Sequence, residues 1–192
     1  MRGGDVVNTV VTSREQILQV CRELIQQQGW SAVSIRSVAG ACGISVGSIY
    51  NYFQDKSQLV GATVESVWLD IFRIPPGQTP FDNILDCVGW MFACMEEGSR
   101  RYPNFFSMHS MAFLGEGKAE GQKRMAQSWL HMRQGIAAVL ASDQRISPDA
   151  FAEGFTREDL AQILFSLLLS ALMRHDYDPV PIQTMLRRLL YK

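Results

Sequence analysis

Apolar residues recur along most of this chain at the spacing of one face of an α-helix. The stripes repeat at i, i+3, i+4 and i+7, which is the period of a helix that buries one side. The first two stripes are Ile17, Val20, Cys21, Leu24, Ile25 and then Ile35, Val38, Ala39, Cys42. The pattern predicts an all-α fold.

Two of the predicted helices are short and adjoin each other. Ser34 is expected to cap the first, and Gly43 to end it because glycine tolerates a positive φ. Ser45 then caps a second helix over Val46–Phe53, so the segment has the pattern of a helix-turn-helix. Asp55 with Gln58 predicts a capping box at the start of the helix that follows.

The second helix of this pair predicts a polar outer face. At about 100° per residue, Ser48 and Asn51 point outward, while Val46 falls on the inner side with Ile49 and Phe53. Hydroxyl and amide groups on such a face pair with base edges or phosphates, whereas a face meant for solvent usually carries Lys and Glu.

These motifs resemble the DNA-binding domain of the TetR family of bacterial regulators. The resemblance covers Ser13–Leu59 and rests on SIRSVA at 34–39, CGISVGSIYNYF at 42–53, Lys56 and Leu59. It implies a homodimeric, all-helical repressor with a three-helix helix-turn-helix domain over residues 1–56 that binds a double-stranded palindromic operator. Residues 57–192 would form a helical ligand-binding and dimerisation domain, linked to the first by a helix over 57–72.

The resemblance also assigns candidate DNA contacts on and around the second helix. They are Ser34, Arg36, Ser45, Val46, Gly47, Ser48, Tyr50, Asn51, Tyr52 and Lys56. Position 46 is valine where family members often carry a basic or other polar residue. Val46 therefore either contacts a thymine methyl group or faces inward.

Beyond residue 72 only the apolar pattern is informative. Three prolines and a glycine in RIPPGQTP, at 73–80, mark a boundary. Later helices are predicted over 81–97, 104–113, 122–141, 160–173 and 182–191, and residues 142–156 read as a mobile connection. Thr156 with Asp159 marks the start of the fourth of these segments, at 160–173.

The last two helices are unusually apolar for a chain of this length. Leu160–Met173 is apolar nearly all round, which favours burial on more than one side. The alternatives are a four-helix interface with a second copy and ordinary core helices in a monomer. The candidate interface residues are Leu164, Leu168, Leu172, Met185, Leu186 and Leu189.

Large, soft and flat side chains collect in the middle of the carboxyl-terminal region. They line either a plain core or a pocket for an apolar or aromatic small-molecule inducer. The candidate ligand-binding residues are Trp90, Phe105, Phe106, Met108, His109, Met111, Phe113, Trp129 and Met132.

Composition narrows the function. No apolar run is long enough to cross a bilayer, so we expect a cytoplasmic protein with no membrane partner. Three scattered histidines and four cysteines without C-x-x-C spacing predict no metal site, no cofactor and no enzyme, although an all-helical enzyme remains an alternative. The cysteines read as buried thiols or, alternatively, as a redox sensor.

Charge weighs mildly against DNA binding. Residues 1–60 hold five basic and four acidic side chains, a net charge of +1, although phosphate neutralisation supplies much of the affinity for DNA. The predicted function is a ligand-responsive repressor. The alternative is a helical small-molecule-binding or interaction protein that has lost DNA binding.

Overall fold

The computed structural model describes residues 13–74, 81–103, 105–106, 118–151 and 154–191, without the side chains of 118–125. Every regular element within these ranges is helical, which confirms the all-α prediction. The α-helices are α1 (Arg14–Gln28), α2 (Ile35–Cys42), α3 (Val46–Tyr50), α4 (Lys56–Ile71), α5 (Ile84–Arg101), α6 (Lys118–Ser142), α7 (Arg157–Arg174) and α8 (Val180–Leu190). Short 3₁₀ turns lie at Trp30–Ala32 and Pro148–Phe151. Among the described helices, none combines the length and apolarity that crossing a bilayer requires.

The chain forms two compact units, Met1–Ser66 and Val67–Lys192, and the division falls inside α4. In the amino-terminal unit the predicted stripe of α1 is largely buried through Ile17, Cys21 and Ile25. Ile49 and Phe53 are buried as well, at 0% and 1% exposure, so the short α3 is anchored by the side chains that the sequence predicts. Arg22 of α1 donates a hydrogen bond to the Ser66 hydroxyl, which fastens α1 to the first part of α4.

In the carboxyl-terminal unit, α5 packs closely against its neighbours. The Gly98 position leaves room for the Ile71 side chain, because a Cβ there would lie 2.9 Å from Ile71 Cγ2. At the same end, the Tyr102 hydroxyl donates to Asp70 Oδ2 over 2.6 Å. The last turn of α4 is thus held to the end of α5 by shape and by a hydrogen bond.

The segment after α6 is anchored, which corrects its interpretation as a mobile connection. Asp143 is 5% exposed, and it accepts hydrogen bonds from the Ile84 amide at 3.1 Å, from the Arg145 amide at 3.1 Å and from the Tyr191 hydroxyl. The Ser147 amide also donates to the Leu190 carbonyl at 2.8 Å. One carboxylate therefore joins the start of α5, the end of α6 and the end of α8.

Burial alone would raise the pKa of the Asp143 carboxyl. The hydrogen bonds that it accepts outweigh burial and hold the pKa of Asp143 below its ordinary value. The pKa of Tyr191 is raised, first by burial and then by its bond to this carboxylate. The pair is therefore an ionised carboxylate and a neutral phenol at neutral pH.

Candidate DNA-binding surface and ligand-binding region

Serine side chains define the helix-turn-helix through local hydrogen bonds. The Ser34 hydroxyl accepts from the Ser37 amide at 3.1 Å and begins α2, as predicted. Gly43 ends α2 in the left-handed region, at φ 66°. The Ser45 hydroxyl then accepts from the Ser48 amide at 3.0 Å and begins α3. The turn between the two helices is thus set by residues within a few positions of each other.

The prediction for the third cap is confirmed in part. The Gln58 amide donates to Asp55 Oδ1 at 2.7 Å, so Asp55 caps α4. In a full capping box the Gln58 side chain would also accept from the Asp55 amide. Here it accepts from the Gln54 amide, at 2.7 Å.

The exposed face of α3 differs from the predicted one. The helix ends at Tyr50 and not at Phe53, so Asn51 and Tyr52 lie in the turn that follows. Val46 is 40% exposed, which corrects its placement on the inner side and leaves it available to a thymine methyl group. Tyr50, at the end of α3, is exposed as well, at 49%.

Ser48 is half-buried, and its hydroxyl lies 2.8 Å from that of Ser45. Its side chain is therefore partly occupied by the cap. Gly47 and Asn51 are exposed. A Cβ at Gly47 would meet only the Ser45 hydroxyl, at 3.6 Å, so the packing of this chain does not itself require glycine there. A bare backbone on an exposed helix allows another molecule to approach closely.

Basic side chains flank α3. Arg36 and Lys56 are exposed, and the structure records no ion pair for either of them within the residues it describes. The Arg14 guanidinium lies 5.4 Å from the centre of the Phe53 ring, so this exposed arginine packs over the buried phenylalanine that follows α3. Arg22 is bound to Ser66 and is directed away from such a role.

The predicted ligand-binding residues fall into two described groups. Phe105 and Phe106 are buried, and both rings lie within 6 Å of the Trp68 ring, with centroids at 5.9 and 5.5 Å. Trp90 extends the same chain of rings through Phe72 and Phe81. The candidates from the sequence do not include Trp68, which lies in α4, or Phe72, which directly follows α4, although both belong to this aromatic cluster.

The second group belongs to α6. Trp129 and Met132 are half-buried, and the Trp129 ring lies 5.7 Å from that of Phe165 in α7. The other candidates, Met108, His109, Met111 and Phe113, lie outside the described residues.

A separate cavity of about 430 Å³ lies between the end of α4 and α5, and Cys94 lines it. Burial raises the pKa of Cys94 to about 11, and it raises the pKa of Cys87 to about 12. Both thiols are therefore protonated near neutral pH and poorly nucleophilic, which argues against the alternative of a redox sensor. No group of three or more potential metal ligands occurs in the part of the chain that the structure describes.

The predicted dimer residues divide by burial. Leu164, Leu168, Leu172 and Leu186 are at most 5% exposed, so side chains of the same chain already cover these four candidates for the subunit interface. Met185 and Leu189 are exposed, at 40% and 46%. The exposed apolar residues that the sequence did not single out here are Ile163, Met173 and Val180. Because α7 is apolar nearly all round, its pattern alone does not separate core from surface.

Comparison with known proteins gives matches to regulators. Residues 17–63 match the family of bacterial regulatory proteins described as tetR. An HTH-type transcriptional repressor of Mycobacterium tuberculosis is 32% identical over 77 residues, which are 38% of this chain and 41% of that protein. The chain thus aligns with well under half the length of this relative.

Solved structures extend the likeness to the rest of the fold. A putative TetR transcriptional regulator from Streptomyces avermitilis superposes with a TM-score of 0.61 at 17% identity, over 93% of this chain and 97% of its own. The multidrug binding protein EbrR, in complex with imidazole, superposes with a TM-score of 0.56 at 20% identity, over 93% of this chain and 90% of its own. At these identities the superpositions establish the fold alone.

Proposed function

We propose that this chain is a ligand-responsive, DNA-binding repressor of the TetR type, because residues 17–63 match that family of bacterial regulatory proteins. The observation that carries the proposal is the exposed surface of α3 and of the turn after it, where Val46, Gly47 and Asn51 are exposed and where the adjoining helices carry the exposed Arg36 and Lys56. The matched repressor of M. tuberculosis supports the same role.

In this proposal α3 enters the major groove. Val46 contacts a thymine methyl group and Asn51 reads a base edge, while Gly47 allows close backbone approach. Arg36, Lys56 and the hydroxyl groups of Ser34, Tyr50 and Tyr52 hold the phosphate backbone. Two chains would present two such helices about 34–36 Å apart to the halves of a palindrome. The homodimer would use the exposed apolar residues of α7 and α8.

A small molecule bound in the carboxyl-terminal unit would release the operator. It must bind more tightly to a conformer whose α3 helices have another separation, because a ligand with equal affinity for both conformers shifts nothing. The multidrug binding protein EbrR, which has a similar fold, is described in complex with imidazole and with proflavin, and these aromatic compounds support an aromatic effector.

The test begins with selection of duplexes from a random library by the full-length protein. A palindromic consensus is expected. Binding to it should weaken steeply with salt, and Arg36→Gln or Lys56→Gln should each lower the slope of log K against log salt by about one. Arg174→Gln, an exposed arginine at the end of α7, is the control with an unchanged slope.

Recovery of no enriched sequence by a folded protein would overturn the proposal. It would favour a small-molecule-binding or interaction protein that has lost DNA binding, consistent with the charge of +1 on residues 1–60. Turnover of a compound by the full-length protein would instead favour the enzyme.

A further inference from the structure

Two buried N–H groups on one face of α6 have no hydrogen-bond acceptor within the described residues. They are Trp129 Nε1 and Arg133 Nε, each shielded from solvent. The two residues are four positions apart, so they lie one above the other on the helix, about 6 Å apart along its axis. A buried N–H group without an acceptor is rare in folded proteins and destabilises them. Two such groups side by side indicate that an acceptor binds there.

Both side chains lie in the seam between α6 and α7. The Trp129 ring packs 5.7 Å from the ring of Phe165, which is 4% exposed. Arg133 reaches across to Gln162, where its Nη1 donates to the amide oxygen. The seam is therefore apolar at Phe165 and polar one turn away.

The bond to Gln162 leaves a particular edge of the guanidinium unused. Because Nη1 is engaged, the Nε and Nη2 atoms remain as a parallel pair of donors, the edge that carboxylates bind in bidentate fashion. Gln162 is neutral, and the described residues supply no carboxylate to Arg133. The guanidinium therefore extends from its buried Nε to the exposed rim of the seam, where Gln162 lies, without a described anionic partner.

We propose that this seam binds the carboxylate of an apolar or aromatic acid, which is the effector class of the regulator proposed above. The carboxylate accepts from the Nε and Nη2 edge of Arg133 and from Trp129 Nε1, while the apolar body packs near Phe165 and Met132. This inference rests on the proposed function, and it adds a requirement for an anionic group that an aromatic pocket alone does not impose.

The experiment follows the indole N–H signals of the full-length protein labelled with ¹⁵N-tryptophan. The chain has four tryptophans, and Trp129→Phe identifies the signal of Trp129 while preserving a ring against Phe165. The probes are phenylacetate, 1-naphthoate and octanoate, each compared with its neutral amide. At least one acid should move the Trp129 signal downfield in a saturable way and bind about tenfold or more tightly than its amide.

Variants then test the two donors separately. Arg133→Gln and Trp129→Phe should each weaken binding of that acid about tenfold. Arg174→Gln and Trp30→Phe are the matched controls and should retain the wild-type affinity. Circular dichroism confirms that each variant is folded.

Three results of the binding experiments would overturn the inference. They are a Trp129 signal that none of the acids moves, an amide that binds as tightly as its acid, and an Arg133→Gln variant with undiminished affinity. A change of oligomeric state in both donor variants, without acid binding, would assign the donors to a subunit interface and overturn it too.

The outcome is separable from that of the proposed function. Operator binding with no response of Trp129 to acids would leave the repressor in place and remove this effector class. Acid binding at Trp129 without any selected duplex would keep the seam and remove the repressor.

Discussion

The two units of this chain differ in the range of their described side-chain hydrogen bonds, although Arg22 reaches Ser66 in the first unit and Asn83 and Thr156 form local caps in the second. In the amino-terminal unit the serine and aspartate side chains that begin α1, α2, α3 and α4 bond to amides three residues away. In the carboxyl-terminal unit the informative bonds join residues far apart in sequence. Asp143 reaches partners 59 and 48 residues away, and the Gln183 side chain reaches the Leu85 carbonyl 98 residues away.

This difference in range decides whether a hydrogen bond can form before the helices have packed. A cap fixes the start of its own helix whatever lies elsewhere, since all its atoms are local. A buried carboxylate shared by three helix ends exists only once those helices have packed. Removing one of these hydrogen-bonding side chains should therefore lower the free energy of unfolding little in the amino-terminal unit and much in the carboxyl-terminal unit.

The largest effect is expected at Asp143. Asp143→Ala leaves the Ile84 amide and the Tyr191 hydroxyl without their buried acceptor, so the free energy of unfolding should fall by about 3 kcal/mol. Denaturant titration followed by circular dichroism measures the loss. Asp82→Ala, which removes an exposed carboxylate beside the start of α5, is the control and should change stability little.

The same carboxylate predicts acid sensitivity. The pKa of Asp143 is lower in the folded chain than its ordinary value near 4, so its contribution to stability is present above that value and is lost as pH falls through the folded pKa. Between about pH 5 and pH 2 the wild-type protein should thus lose more stability than Asp143→Ala does. Parallel pH profiles of the two proteins would contradict this assignment.

A smaller effect is expected where α4 and α5 touch. Gly98→Ala places a Cβ about 3 Å from three atoms of the Ile71 side chain, and this overpacking should lower the free energy of unfolding by about 1–3 kcal/mol. Gly135→Ala in α6 is the matched control, because nothing lies within 4 Å of its Cβ position. That control should stabilise the protein by about 0.5–1 kcal/mol through helix propensity, and equal losses in both variants would refute the packing argument.

The same contrast shows which parts of the structure can be predicted from the sequence. Ser34, Gly43 and Ser45 predict their helix boundaries because capping is local chemistry, and the family motif lies in the same stretch. Asp143 reads as an ordinary loop residue, since its acceptor role depends on helix ends 48 to 59 residues distant.

Orientation is harder to predict than helix position. The ideal helical period places Val46 on the side of Ile49 and Phe53, yet Val46, at the first position of α3, is 40% exposed. Leu164 is a candidate for the subunit interface because its helix is apolar nearly all round, yet within the single chain it is 1% exposed. Such a pattern states that a residue is apolar without stating which neighbour covers it.

The smallest effect is expected at the cap of α3. Ser45→Ala removes the acceptor for the Ser48 amide and should lower the free energy of unfolding by about 1 kcal/mol, whereas Ser45→Gly should cost only a few tenths. Because the lost bond spans three residues, both variants should leave the amide-exchange protection of α7 and α8 unchanged and reduce it within α3. Hydrogen exchange resolved by residue measures this, with Ser31→Ala, an exposed serine outside any cap, as the control. Lost protection throughout α7 and α8 in Ser45→Ala would show that the cap acts at long range and would remove the proposed distinction between the two units.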